Sequence, residues 1–336
     1  MKAYEILQGS SGLDGLRLTH REQPEPTARQ VLVRVHAAAL NYRDLAIVAG
    51  QYIGGSVKRN TIPLSDGAGE VVAVGGDVDR FKVGDRVAGT FFQGWIEGIP
   101  PASTVALGSP LDGMLAEYVA LDQDGWVAVP EHLSYEEAAT LPCAGLTAWN
   151  ALVFSGRIKP GDSVLALGTG GVSIFALQFA RMSGARVIIT SSSDEKLQRA
   201  LALGADAGIN YKKTPDWEQQ VLQLTGGAGV DHIVEVGGAG TLARSFRAIG
   251  YGGQVALIGV LSGREGDTNP HPLMFKAARL QGIFVGSRIM FEAMNRAMSI
   301  NKMVPVIDRV FPFTEAAQAY QYHRAGGHFG KIVIAL

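Results

Sequence analysis

The chain has 336 residues and a formal charge of −1, from 30 Lys plus Arg against 31 Asp plus Glu, so no bulk attraction draws it to nucleic acid or to an anionic membrane surface. With 47% apolar and 18% charged residues it has the composition of a chain with a sizeable core, and its length suits two domains. One cysteine excludes an internal disulfide and a four-Cys zinc site, and the longest apolar stretch, 164–180, is broken by glycines well short of a membrane span.

The first residues lack the apolar core of a signal peptide, and the expectation is a soluble, cytoplasmic protein. Residues 1 to about 125 read as β-rich. Val31 to His36 alternates with period two, as a half-buried strand should. Glu70 to Gly75, Arg86 to Gly89 and Ala116 to Ala120 follow, with Gly84-Asp85 as a hairpin turn between Phe81 and Val87.

From about residue 128 strands alternate with helices. Ser163 to Leu167 reads as a strand, Val172 to Met182 as a helix, Arg186 to Thr190 as a strand and Asp194 to Leu203 as a helix. Asp231 to Val236 and Gln254 to Ile258 are two further buried strands, separated by Thr241 to Ile249. This is the grammar of a doubly wound parallel sheet. The tail predicts a short strand at Ile283 to Ser287, helical stretches, and a last strand at Lys331 to Ala335. The expected fold is α/β, with domains at 1–127 (completed by 281–336) and 128–280.

Glycine is in excess, at 43 residues, and sits at the ends of apolar runs where tight turns belong. Gly168-Thr169-Gly170-Gly171-Val172-Ser173 ends a predicted strand and opens a predicted helix. It matches the dinucleotide pattern G-x-G-x-x-G with Ser173 at the third position. The first glycine serves the turn, the second lets the backbone approach a pyrophosphate, and the third position packs. The helix N-terminus then faces the phosphates.

An NAD site wants a carboxylate at the end of the second strand, where this chain has Ser191-Ser192-Ser193-Asp194. Asp194 comes late and reads as a helix-start residue, beside a capping box formed by Ser192 and Glu195. Small hydroxyls with Lys196 nearby suit a 2′-phosphate, which favours NADP.

Further motifs run along the whole chain: Gly67-Ala68-Gly69-Glu70-Val71-Val72, Val83-Gly84-Asp85-Arg86-Val87, Gly145-Leu146-Thr147-Ala148, Leu203-Gly204-Ala205-Asp206 and Gly330-Lys331-Ile332-Val333. In order and spacing they resemble the medium-chain dehydrogenase/reductase superfamily. The resemblance implies a GroES-like catalytic domain, a Rossmann domain, and an active site in the cleft between them. It leaves zinc alcohol dehydrogenases and zinc-free quinone oxidoreductases as the two branches. In the zinc branch the metal lies among a Cys, a His-Glu pair and a later Cys. Matched onto this chain these fall at Asn41, Ser65, Asp66 and Cys143, and residues 89–113 contain no Cys for the structural zinc lobe. No zinc is expected. Cys143 reads as a small buried hydrophobe, with a reactive thiol as the alternative.

By the same resemblance Asn41 and Tyr52 orient the substrate, with Tyr42 a third candidate; Arg43 and Asp44 read equally as an ion pair. Phe91 to Trp95 either covers a flat substrate or packs. The carry-over for the cofactor places Thr147 beside the nicotinamide and Gly168, Gly170, Gly171 and Val172 at the pyrophosphate. Ser191, Ser192, Lys196 and Tyr211 fall at the 2′-phosphate, Gly259 and Val260 near the nicotinamide ribose, and Phe329 and Lys331 in the closing segment. The expected protein is an NADPH-dependent, zinc-free reductase of a quinone or other α,β-unsaturated carbonyl. A homodimer is expected to pair through the apolar strand Ile283 to Ser287. The alternatives are an alcohol dehydrogenase or aldehyde reductase of this fold, and a crystallin-like protein that keeps the cofactor site.

Overall fold

The structure, a computed structural model, describes every residue except Arg264 and Asp267. The chain divides into two compact units, Met1–Leu146 with Gly286–Leu336, and Thr147–Val285. The α/β fold class holds. The first boundary lies later than the expected 127/128, because Tyr135–Ala139 forms a helix that packs on the strands of the first unit.

The first unit is built on β1 (Lys2–Ile6), β2 (Leu16–His20), β3 (Gln30–Ala39), α1 (Tyr42–Val48), β4 (Asp66–Val74), β5 (Arg86–Gly89), β6 (Phe92–Gln93), β7 (Val105–Ala106), β8 (Tyr118–Asp122), β9 (Trp126–Ala128) and α2 (Tyr135–Ala139). The short helix α3 (Leu146–Trp149) carries the unit boundary.

In the second unit follow β10 (Ser163–Ala166), α4 (Gly171–Met182), β11 (Arg186–Ser191), α5 (Asp194–Ala202), β12 (Ala207–Asn210), α6 (Trp217–Leu224), β13 (Val230–Glu235), α7 (Ala239–Ala248), β14 (Ile249–Leu257), α8 (His271–Phe275) and β15 (Arg279–Gly282). The chain then returns to the first unit as α9 (Arg288–Asn301), β16 (Ile307–Pro312), α10 (Ala316–Ala325) and β17 (Lys331–Ala335).

The main sheet of the first unit runs β16-β17-β3-β4-β5-β9, and β8 also pairs with β3. Strand β3 is long enough for two neighbours on one side: Gln30 to Arg34 pairs with β8, and Ala37 to Ala39 pairs antiparallel with β17. The last strand of the chain is therefore stitched beside one of the first. Trp126, Leu107, Met114 and Tyr320 are among the large fully buried side chains of this core. Phe81, expected to lead into a hairpin, lies outside any strand, although Gly84 does turn with φ +91° ahead of β5.

The second unit holds a six-stranded parallel sheet in the order β12-β11-β10-β13-β14-β15. Its order reverses at β10, the arrangement that opens a crevice at the carboxyl ends of the strands. Leu165, Ile188, Ile233, Val255 and Phe246 make its core.

One predicted strand is corrected. Residues 283–287 are not a strand, and the sheet edge is β15, four residues earlier. The apolar pattern there has another cause. Ile283 packs on Ala151 and Ala256, while Val285 adopts φ +50° with its carbonyl accepting from Asn150 Nδ2 at 2.8 Å. No helix among the described residues is long and apolar enough to cross a membrane.

Gly69 is where β4 passes closest to β3: a Cβ there would lie 2.0 Å from the Arg34 carbonyl oxygen, beside a register shift between the strands. The nearest atoms belong to the Arg34 carbonyl, which is backbone and cannot swing aside as a flexible side chain would. Gly69→Ala is expected to lower stability by about 1–3 kcal/mol, the usual overpacking cost, read as a fall in the urea midpoint. An unchanged midpoint would refute this packing account.

Candidate active site

Within the first unit, four segments distant in sequence bring their polar groups together. Asn41 is the N-cap of α1: its N–H donates to Asp44 Oδ2 at 2.7 Å, and its carbonyl accepts from Asp44 N. Lys331, the first residue of β17, is 3% exposed, and its ammonium donates to Leu40 O at 2.5 Å and Asn41 Oδ1 at 2.6 Å. Asp66 Oδ2 lies 4.0 Å from the same ammonium and accepts from Cys143 N at 3.1 Å. Asp66 Oδ1 accepts from Ser65 Oγ at 2.7 Å.

Burial pushes the Asp66 carboxyl up, opposed by Lys331, Ser65, the neighbouring Asn41 amide and the Cys143 N–H. Asp44 is wholly buried and pushed up to about 6 by desolvation, opposed by Arg43. Its Oδ1 has no hydrogen-bond partner among the described residues. Arg43 gives its guanidinium to Leu107 O at 2.8 Å and Ser109 O at 3.1 Å, stands 4.0 Å from Asp44, and lies over the rings of Tyr52 and Phe91.

Of the three residues expected to orient substrate, Asn41 is buried in this cluster, Tyr52 is half-buried against Arg43, and Tyr42 is exposed on α1. Phe91, Phe92 and Trp95 are buried against one another, so this stretch packs. Lys331 and Phe329, carried over as cofactor contacts, both belong to the first unit. Phe329 is 2% exposed, and the Lys331 ammonium is engaged with Leu40 and Asn41.

The positions that match the zinc ligands of the family do converge here, and their chemistry can be tested against the metal. Zinc needs thiolate, neutral imidazole or carboxylate lone pairs. Burial and the Asp66 charge push the Cys143 thiol far up, holding it protonated; this favours the inert reading of Cys143 over the reactive one. The Asn41 oxygen already accepts from a cation, and Ser65 donates to Asp66. Among the described residues no three His, Cys, Asp or Glu side chains gather as a metal site. This donor set does not fit zinc.

The second unit carries the dinucleotide cradle. Gly168 turns with φ +76° at the end of β10, its N–H donating to Thr190 Oγ1 at 3.0 Å. Gly170 is the N-cap of the twelve-residue α4, and a Cβ on either glycine would meet nothing within 4 Å, which leaves the backbone open to a close-lying phosphate. The first N–H groups of α4, at Gly171, Val172 and Ser173, have no intrahelical acceptor. Ser173, in place of the third glycine, is 1% exposed and donates its hydroxyl to Leu167 O at 2.6 Å, tying helix to strand. These residues fit a bound dinucleotide.

At the end of β11, Ser191 is buried and its Oγ accepts from Ser193 N. The helix cap is Ser193, accepting from Lys196 N at 3.4 Å, one residue later than the expected Ser192–Glu195 box. Asp194 is engaged: Asn210 Nδ2 donates to it at 2.7 Å and Lys213 forms an ion pair with it. Tyr211 is exposed at the end of β12, Ser192 is half-buried, and Thr147 is buried in α3.

Sequence reasoning missed Glu235. Its carboxylate, 0% exposed at the end of β13, accepts from Gly237 N at 2.8 Å, Gly238 N at 3.1 Å, Thr241 Oγ1 at 2.6 Å and Ser245 Oγ. The turn it fixes accepts Leu261 N and Ser262 N, so the loop carrying Gly259 and Val260 is held through it. An acidic residue set within the apolar run Ile233 to Val236, just ahead of Gly237-Gly238, was the available signal.

A buried-helix-capped dinucleotide cradle beside a parallel sheet, with a β-rich unit built around a polar cluster, is the architecture of a nicotinamide-dependent oxidoreductase. Residues 27–131 match the alcohol dehydrogenase GroES-like domain, and residues 171–299 match the zinc-binding dehydrogenase domain. A zinc-type alcohol dehydrogenase-like protein of Schizosaccharomyces pombe is 43% identical over 99% of both chains. The quinone oxidoreductase of Sus scrofa is 31% identical over 93% of this chain and 91% of its own. Among solved structures, a putative alcohol dehydrogenase of Sinorhizobium meliloti is 43% identical with a TM-score of 0.92, covering 100% of this chain and 99% of its own. An NAD-dependent alcohol dehydrogenase is 33% identical with the same TM-score, covering 100% of both. The chain belongs to the medium-chain dehydrogenase/reductase superfamily of oxidoreductases.

The raised Asp44 pKa has a consequence for stability. Between about pH 4 and pH 6 the folded protein holds a proton on Asp44 that the unfolded chain has released, so this group makes stability fall as pH rises through that window. Asp44→Asn keeps an oxygen acceptor for the Asn41 N–H and removes the titration. The variant's Tm is expected to gain on that of the unmodified protein from pH 4 to pH 6. A constant difference across that window would refute the assignment.

Proposed function

We propose that this protein is an NADPH-dependent reductase of a quinone or another α,β-unsaturated carbonyl, working without zinc. The observation that carries the reading is the Lys331 ammonium lodged among Asn41, Asp66 and Leu40, where the zinc branch gathers its metal ligands. A site without a Lewis acid is poorly equipped to stabilise an alkoxide, the need of alcohol oxidation. A conjugated carbonyl demands less, because its electron-poor carbon accepts hydride and the charge spreads to an oxygen that hydrogen bonding can hold. Likeness to quinone oxidoreductases supports the same class.

Bound at the glycine cradle, the reduced nicotinamide would supply the hydride. The chain's own tasks are then to hold the pyrophosphate at Gly170 to Val172 and to orient the substrate with Asn41, Tyr52 and Tyr42. NADPH is favoured over NADH because Asp194 is occupied by Asn210 and Lys213, while Ser191, Ser192, Lys196 and Tyr211 lie around the end of β11. A single cysteine suits a reducing compartment, and we place the protein in the cytoplasm.

The deciding assay follows NADPH and NADH consumption against quinones, enals and simple aldehydes, and reduction of the oxidised cofactors by saturated alcohols. Turnover of quinones or enals with NADPH, unaffected by a chelator, is expected. Activity confined to alcohols and lost with zinc would overturn the reading. Lys196→Ala is expected to weaken NADPH binding by about 1–3 kcal/mol, the range for a charge-assisted hydrogen bond, and to leave NADH binding unchanged. Dissociation constants measured at fixed salt check this, and NADH bound as tightly as NADPH by the unmodified protein would end the cofactor claim.

We also propose a homodimer, joined at β15 rather than at residues 283–287. The four residues of β15 are all exposed on the sheet edge, and Met274, Phe275 and Phe284 are exposed in the same segment of chain. An open edge strand flanked by exposed apolar side chains is covered when two copies continue the sheet across a two-fold axis. Light scattering at micromolar concentration should give a dimer, and Leu280→Pro, which removes a ladder donor, a monomer. A monomeric unmodified protein would refute it.

A further inference from the structure

The cluster of the first unit contains two buried acids, Asp44 and Asp66, and two buried bases, Arg43 and Lys331. Their duties differ. Arg43 spends its N–H groups on the carbonyls of Leu107 and Ser109, which pins the 107–109 loop. Of the two bases, Lys331 is the one that donates to the Asn41 side chain.

A carboxamide can present either its oxygen or its NH2 to a neighbour, but an ammonium has only donors. Lys331 therefore dictates which way round the Asn41 amide sits. With Oδ1 turned to the ammonium, the buried NH2 is left as the donor side of the amide. Nδ2 makes no hydrogen bond among the described residues, although the amide lies close enough to Asp66 to favour its charged form. A buried donor without a partner is costly and is kept where something must use it.

The oxygens around the ammonium are a backbone carbonyl at 2.5 Å, an amide oxygen at 2.6 Å and, farther off, a carboxylate oxygen at 4.0 Å. We propose that Lys331 is the resident cation of this pocket and the positioning residue for Asn41, a tethered ammonium that fixes the amide with its donor side free and charge-balances Asp66. The lock stands on the geometry of the first unit alone. Its value to turnover, as an oriented donor and a nearby positive charge for the oxygen that gains electron density, rests on the reduction proposed above.

Two variants separate charge from packing. Lys331→Met keeps the stem without the charge. Lys331→Ala leaves a channel that n-propylammonium completes atom for atom, whereas tetramethylammonium at equal ionic strength is too wide. Both variants are expected to lose about tenfold or more in kcat for enone or quinone reduction, with NADPH affinity held within about twofold, as for an interaction felt mainly in the transition state. In Lys331→Ala, n-propylammonium should raise both Tm and kcat, and tetramethylammonium should raise neither. In the unmodified protein, isotope-labelled lysine should show one slowly exchanging ammonium resonance, the mark of a buried, hydrogen-bonded Lys331.

Three results would each overturn the proposal. The Met variant could equal the unmodified protein in Tm and kcat. NADPH affinity could fall while kcat holds, which would assign Lys331 to the cofactor. The slowly exchanging resonance could be missing. Should the unmodified protein reduce no quinone or enone, the functional reading fails by itself, and the Tm rescue and the ammonium resonance still decide the lock.

Discussion

A primary ammonium that is 3% exposed is tolerable only if oxygens replace the water it has lost. That requirement organises the first unit. Lys331 finds a carbonyl at the end of β3, an amide at the N-cap of α1 and a carboxylate at the start of β4, so one side chain ties three segments to the strand that closes the chain. The pairing of Val333, Ile334 and Ala335 with Ala37 to Ala39 supplies the backbone half of the same closure. The cation and the Ser65 and Cys143 donors face Asp66 and oppose the rise that burial imposes on its carboxyl, and Asp44 meets the α1 N-terminus that its own hydrogen bond caps.

The second unit solves the converse problem. Glu235 is a buried carboxyl group with neutral donors around it: two backbone N–H groups and two hydroxyls. Such an arrangement stabilises charge through oriented dipoles rather than through a counter-ion. It also fixes the turn after β13, and with it the loop after β14. In a parallel sheet the carboxyl ends of the strands are where ligands bind, so rigidity there has functional value. The glycines Gly168 and Gly170 are left open at one strand end while the 237–241 turn is clamped at another.

What could be read in the sequence follows from how local each signal is. The glycine turn, α4, β10, β11 and β13 were legible because a strand, its turn and its helix lie within about thirty residues. Assigning Ser173 to packing was legible too, since only a small side chain fits that position. The Asn41–Lys331 hydrogen bond spans 290 positions and no short motif contains both ends, so the sequence does not pair them. Residues 283–287 carry an apolar pattern proper to a strand, but that pattern records burial, and the left-handed Val285 ends any pairing. The cap of α5 slipped by one because three consecutive serines offer equivalent hydroxyls, and only the backbone decides which accepts Lys196 N.

The matched family models include one described as zinc-binding, yet the side chains at the ligand positions argue for different chemistry, and the two statements are compatible. The fold fixes where residues 41, 65, 66 and 143 converge; it does not fix what they are. With a thiolate and an imidazole, such a convergence makes a Lewis acid site. With an amide, a hydroxyl, a carboxyl and a thiol it makes a buried cluster rich in oxygen, and Lys331 from the closing strand is the cation within reach. An ammonium cannot accept an electron pair as a metal does, but it can orient a donor and lend positive charge. On the function proposed above, a site rebuilt in this way would trade polarisation of an alcohol for hydrogen bonding to an oxygen that becomes anionic, the demand of a conjugated carbonyl rather than of a saturated alcohol.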